Sequence, residues 1–168
     1  NNILFDYYSD GAGFDDIIVY SHSLAGRNKL AKKKLLEKKD NNNSFRSEVN
    51  IELKGANIFS FAIKHVPPFL KMAIKKIKNI NYCFLHQANK MIQDSIESQI
   101  NNKKIIFSNS LKKFGNTSSA SLPITICYNH HSKKLKGNSI LCGFGVGLSI
   151  SIVIINLEKT KIFKIIKL

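Results

Sequence analysis

Residues 82–100, YCFLHQANKMIQDSIESQI, run a short apolar stretch straight into a helical pattern, with a histidine, His86, at the joint. That step constrains the fold more than any other feature of the chain. The apolar run Tyr82 to Leu85 has strand length, and the spacing from about Asn89 to Gln99 suits one apolar face of a helix. The alternation then recurs. KIIFSN reads as a further short strand. GNTSSASLPITICYNHH reads as a loop with Ser and Thr capping candidates, then a helix that tolerates Pro123 in its first turn. NSILCGFG and LSISIVIIN read as two buried strands around a glycine turn. Strands alternating with helices predict an α/β fold with a largely buried sheet.

The N-terminal third is less regular. ILFDYY and FDDIIVYSH read as two strands joined by SDGAG, a turn built from Asp and Gly. Residues 24–50 are polar and basic and read as a mobile connection, with one exposed helical turn around KKKLLEKK. Residues 56–78 have helical periodicity, interrupted by Pro67 and Pro68. A proline pair lacks two N–H donors, so one helix is expected to end near His65 and a second to start at the prolines. The tail KTKIFKIIKL is amphipathic and is expected to add a strand.

Composition excludes some classes. The apolar runs are broken by Lys, Asn or Gly well before membrane-spanning length, so no transmembrane segment is expected. The start, NNILFDYYSD, has no basic segment, no cleavage pattern and no Met, so the chain reads as a piece of a longer protein without a secretory signal. The net charge of +15 attracts anions. Much of the Lys comes with many Asn and Ile, however, a bias that needs no ligand. No aromatic residue is interleaved with Lys32, Lys33, Lys34, Lys38 and Lys39, which argues against nucleic acid there. Cys83, Cys127 and Cys142 are odd in number and form no C-x-x-C pair. Buried, reduced thiols in a cytoplasmic protein fit them better than disulfides or zinc, and no metal site is expected.

Three motifs remain: HQAN at 86–89, GNTSSAS at 115–121 and GFGVG at 143–147. Each sits at a junction between elements, and each taken singly has a plain structural explanation. Together and in this order they resemble the C-terminal half of the thiolase superfamily, and within it β-ketoacyl-acyl-carrier-protein synthase III. SDGAG resembles the family's GDGAG turn, and KGANIFSFAIKHVPPFL resembles the segment that leads its C-terminal half. The resemblance implies a thiolase-like α/β fold: the C-terminal half of a layered αβαβα architecture, with a mixed five-stranded sheet packed by helices. It divides the chain into residues 1–22, the last strands of the N-terminal half, residues 23–50, a basic connection, and residues 51–168, the C-terminal domain.

The chemistry implied is decarboxylative Claisen condensation of an acyl thioester with malonyl-acyl carrier protein. Loss of CO2 leaves a thioester enolate. His86, through Nε2, and the Asn116 amide would donate to its oxygen, stabilising charge that appears only in the transition state. The backbone N–H of Val146 would serve the acyl thioester oxygen, a role that needs no particular side chain. Phe144 would wall the nucleophile. Gly55, Phe59, Ala88 and Asn89 match substrate contacts. Ala56 replaces a frequent asparagine, and Met91 stands after Lys90 where the family's carrier-docking arginine is common. The substrate would be a coenzyme A or phosphopantetheine thioester, with no permanently bound cofactor. The implied partners are acyl carrier protein, acyl-coenzyme A, the N-terminal half of the same enzyme and a second copy in a homodimer, with neither membrane nor nucleic acid. The family's nucleophile is a cysteine at the N-terminus of a buried helix in the N-terminal half. None of the three cysteines here matches it, so the chain alone is expected not to condense. The alternative is a non-catalytic thiolase-fold interaction domain that binds another subunit, or an acidic partner through its Lys-rich face.

Overall fold

A computed structural model of the chain describes residues 3–19, 38–39, 45–46 and 51–166. Its centre is a five-stranded mixed sheet. The strands are β1 (Leu4–Ser9), β6 (Ile80–Leu85), β7 (Ile106–Ser108), β8 (Asn138–Gly145) and β9 (Ser149–Asn156), in the order β1-β9-β8-β6-β7. β6 is parallel to both β7 and β8, whereas β8–β9 and β9–β1 are antiparallel. Two pairs of two-residue strands lie outside this sheet: β2 (Ile17–Ile18) with β5 (Glu52–Leu53), and β3 (Lys38–Lys39) with β4 (Phe45–Arg46). The helices are α1 (Gly55–Lys76), α2 (Lys90–Ile100), the single turn α3 (Leu111–Phe114) and α4 (Ser121–His130).

Strand alternation decides which face each side chain serves. The row Phe107, Cys83, Ile140, Ile154 and Leu4 runs across the sheet from edge to edge by direct pairing. It faces α1 and α2 and belongs to the hydrophobic core with Val66, Leu70, Ile92 and Ile96. The opposite face carries Phe84, Leu141, Val153 and Phe5 in one paired row. α4 covers it at the β6 end, where the His130 ring meets Tyr82 and Phe84 edge-on and its Nε2 lies 2.7 Å from Ser108 Oγ. At the β1 end Phe5 and Tyr7 are 65% and 57% exposed. The thiolase-like layering of sheet and helices expected above is therefore present, with one face only partly covered among the described residues.

The helix broken at two prolines is not broken. α1 runs continuously from Gly55 to Lys76 with Pro67 and Pro68 inside it. Its buried face, Phe61, Ala62, Val66, Leu70 and Ala73, keeps helical spacing straight through the pair. The carbonyl of Ile63, whose helical donor would be the missing N–H of Pro67, accepts a hydrogen bond from Gln99 Nε2 on α2 at 3.1 Å. Packing holds the helix in register, and the neighbouring helix supplies one of the two lost donors. Gln99→Ala is expected to lower stability by about 1 kcal/mol, the usual worth of one such bond. A urea midpoint unchanged by the substitution would show that the Ile63 carbonyl needs no partner.

Three further expectations are corrected. The strands flanking SDGAG do not pair with one another: β1 pairs with β9, and β2 with β5. Between them Gly11–Gly13 form a 3-10 turn capped by Asp10, whose carboxylate accepts from the Ala12 N–H at 3.0 Å. Gly13 is required by close approach, because a Cβ there would lie 2.8 Å from Leu148 Cγ. β1 is an edge strand of the five-stranded sheet. The tail adds no strand within residues 157–166, since β1 already occupies the free edge of β9. Cys127 is half-buried rather than buried, while Cys83 and Cys142 are buried as expected. The expected helical turn in KKKLLEKK and most of the 23–50 connection lie outside the described residues, and Lys38 and Lys39 are extended.

Candidate functional site

The parallel strands β6 and β8 end side by side, and the site is built at that end. His86 follows β6 directly. Its backbone N–H donates to the Cys142 carbonyl at 2.8 Å, continuing the ladder one residue beyond the strand. The next residue, Gln87, is fully buried. Its Nε2 donates to the Leu85 carbonyl at 2.8 Å, and its Oε1 accepts from the Ser110 N–H at 2.9 Å. Gln87 thus pins the turn to the segment before α3. Asn89 caps α2, its side chain accepting from the Ile92 N–H at 2.9 Å. The HQAN motif therefore places one ring and spends its other two polar side chains on holding that ring's surroundings.

The His86 ring packs edge-on against Phe144, with centroids 5.4 Å apart. Its Nδ1 lies 2.9 Å from Ser121 Oγ. Burial pushes its pKa below the usual histidine value, and a hydrogen bond with the Ser118 backbone opposes that shift. The ring is accordingly neutral near pH 7, so one nitrogen can donate while the other accepts.

Asn116 comes from the loop between α3 and α4. Gly115 before it closes α3 at φ +65°, a conformation that favours glycine. The Asn116 Oδ1 accepts from the Ser118 N–H at 2.9 Å. With the oxygen turned to the backbone, the amide NH2 is left as the outward donor. The third element is the turn from Gly145 to Gly147, in which Val146 is 67% exposed and is not among the left-handed residues. Its carbonyl accepts from Ser149 Oγ at 2.7 Å.

His86, Asn116, Phe144 and Val146 line one cavity of about 570 Å3. Four more residues expected to contact substrate lie outside it. Gly55 opens α1 on an exposed corner, Phe59 and Ala88 pack against the core, and Asn89 is occupied as a cap. The cavity also takes Ser118, Ser119, Ser121 and Leu122 from the loop and first turn of α4, and Ile51 and Leu53 from the segment around β5. The serines were visible inside GNTSSAS, where a run of hydroxyls follows the asparagine. Ile51 and Leu53 carry no local signal, because only the pairing of β5 with β2 places them there.

No cysteine lies on the cavity. Cys142 is buried in β8 with its thiol pushed up to about 12, and burial raises Cys83 well above the ordinary value, with Cys142 and Glu97 adding to the effect. Among the described residues no group of three His, Cys, Asp or Glu side chains is placed to hold a metal ion, and no helix is long and apolar enough to cross a membrane.

Residues 70–157 match the family model described as 3-oxoacyl-[acyl-carrier-protein (ACP)] synthase III C terminal. The β-ketoacyl-[acyl-carrier-protein] synthase III of Prochlorococcus marinus (strain MIT 9515) is 30% identical over an alignment of 165 positions that covers 84% of this chain and 49% of the relative. The protein of the same name from Streptococcus agalactiae serotype III (strain NEM316) is 37% identical over an alignment of 107 positions that covers 59% of this chain and 33% of its own. The chain spans half the length of these curated relatives or less. Among solved structures, a 3-oxoacyl-(acyl-carrier-protein) synthase III superposes with a TM-score of 0.74 at 24% identity, over 92% of this chain and 47% of its own. A 3-oxoacyl-(acyl-carrier protein) synthase from Burkholderia xenovorans LB400 gives 0.75 at 20% identity, over 97% and 46%. These superpositions establish the fold.

Proposed function

The chain belongs to the 3-oxoacyl-[acyl-carrier-protein] synthase III C-terminal family, and on that premise we propose that it is the enolate-stabilising part of an acyltransferase that condenses an acyl thioester with malonyl-acyl carrier protein. The observation that carries the reading is the meeting of His86 and Asn116, thirty residues apart in sequence, on one cavity. His86 donates through Nε2 and Asn116 through its amide to the oxygen of the enolate left by decarboxylation. Two aimed dipoles in a partly enclosed site stabilise charge that develops only during the reaction. The Val146 N–H, on the rim of the same cavity, serves the acyl thioester oxygen, and Phe144 keeps the wall apolar.

The other half of such an enzyme supplies the nucleophile. The exposed Phe5 and Tyr7, on the sheet face that α4 covers only in part, support a second layer packing there. Acyl carrier protein and acyl-coenzyme A are the matching substrate carriers, a homodimer the matching assembly, and the cytoplasm, where its three free cysteines stay reduced, the matching compartment. Gly55, Phe59, Ala88 and Asn89 stand as contacts to the pantetheine arm only if substrate extends beyond the cavity.

The test separates the two half-reactions. The chain is joined to an N-terminal half in which the nucleophilic cysteine is replaced by alanine, and CO2 release from a malonyl thioester is measured. Decarboxylation is expected to persist while condensation is lost, because the enolate donors lie in this chain. If decarboxylation is lost with the cysteine in a folded protein, the assignment of the enolate site to His86 and Asn116 is wrong.

A further inference from the structure

Resting on the reading of His86 as an enolate donor, we propose that Ser121 is a positioning residue: its hydroxyl donates to His86 Nδ1 and so holds the ring proton on Nε2. A neutral imidazole has one donor nitrogen, and the enolate needs a donor. The ring's neighbours must choose the tautomer: the Ser121 hydroxyl at Nδ1, and the Ser118 backbone, whose hydrogen bond favours the protonated ring.

The choice follows from counting protons along a buried chain of hydrogen bonds. Ser121, Thr125, Ser110 and Gln87 are all buried. The Thr125 hydroxyl donates to the Ser121 carbonyl one turn back in α4, at 2.7 Å. Its single proton is then committed, so its 2.7 Å contact with Ser110 Oγ must use the proton of Ser110. The Ser110 N–H donates to Gln87 Oε1, and Gln87 Nε2 donates to the carbonyl of Leu85, the residue before His86. The direction of every bond in this loop is determined except the one between Ser121 and the ring. The Ser121 hydroxyl is 2.9 Å from Nδ1. If Nδ1 donated instead, the Ser121 proton would have no acceptor among the described residues, a costly state for a buried hydroxyl. With Nδ1 accepting, that proton is satisfied and the ring proton falls on Nε2. The loop also fixes the distance between α4 and the end of β6, so Ser121 is held against the ring and cannot drift from it.

Ser121 also lines the cavity, as does His86. It is not asked to touch the enolate; it acts through the ring. Its loss should alter which nitrogen carries the proton before it alters anything else.

The experiment is long-range proton–nitrogen NMR of the chain as it stands, above the pH at which the ring titrates, with the His86 signals assigned by comparison with His86→Gln. Expected in the parent is a protonated Nε2 and an acceptor-type Nδ1. Ser121→Ala is expected to lose that preference, its two nitrogen shifts moving toward the values of a mixed tautomer. Ser121→Thr, which keeps a hydroxyl, is expected to retain it. A parent ring protonated on Nδ1, or an unchanged tautomer in Ser121→Ala, overturns the proposal. Should Ser121→Ala not fold, Ser121→Gly takes its place, with the same expected and overturning results. The measurement needs no turnover. An Nε2–H ring in an assembled enzyme that fails to decarboxylate would remove the functional reading and leave the role of Ser121 in place.

Discussion

Supplied with an N-terminal half that carries a nucleophilic cysteine, the chain is expected to form a 3-oxoacyl product from an acyl-coenzyme A and malonyl-acyl carrier protein; alone, it is expected to form none above background. The difference is all or nothing, because the acyl group must be held covalently before the enolate can attack it. No cysteine of this chain suits that task. A reactive thiolate needs a partly exposed, electropositive place such as a helix N-terminus. Cys83 and Cys142 sit inside adjacent strands, with thiols raised by burial. Cys127 is half-buried in the middle of α4, well past its first turn. Product is read by mass spectrometry of the carrier protein. Condensation by the isolated chain, abolished by Cys127→Ser, would mean that the nucleophile is here after all.

The second large effect is on the enolate donors. In the assembled enzyme, His86→Ala or Asn116→Ala is expected to slow malonyl-thioester decarboxylation by roughly a hundredfold or more, the scale of losing one oxyanion donor. A hundredfold is about 2.7 kcal/mol of transition-state stabilisation. The two losses are not expected to multiply in the double variant, since both donors serve one oxygen and the first loss already weakens what the second contributes. The fall should appear in kcat, because the enolate charge is absent from the ground state. His86→Ala also removes the ring that packs on Phe144, so acyl transfer should be measured separately from decarboxylation. Decarboxylation unchanged in both single variants would leave HQAN and GNTS with no part in this step.

The sequence by itself determined the elements whose causes are local. β6 and α2 could be read from an apolar run, a helical spacing and the capping Asn89. β8 and β9 could be read from their apolar runs around a glycine turn, and the first turn of α4 from Pro123. HQAN, GNTS and GFGVG pointed to one site through their joint resemblance to a known family, and the fold places His86, Asn116 and Val146 on one cavity. The tertiary structure decided what depends on partners far along the chain. The continuity of α1 through Pro67 and Pro68 rests on packing of its buried face, with Gln99 of another helix supplying one of the two missing donors. β1 has the length and pattern of a strand, but nothing in its residues says that Leu4 lies opposite Ile154 and not across the nearer turn. The wall formed by Ile51 and Leu53 exists only because β5 pairs with β2. The orientation of the Asn116 amide and the contact of Ser121 with His86 are likewise properties of folded loops. Periodicity and capping are encoded within one or two turns of chain. A hydrogen bond between distant segments leaves no period, and it becomes favourable only after packing has already brought both groups out of water.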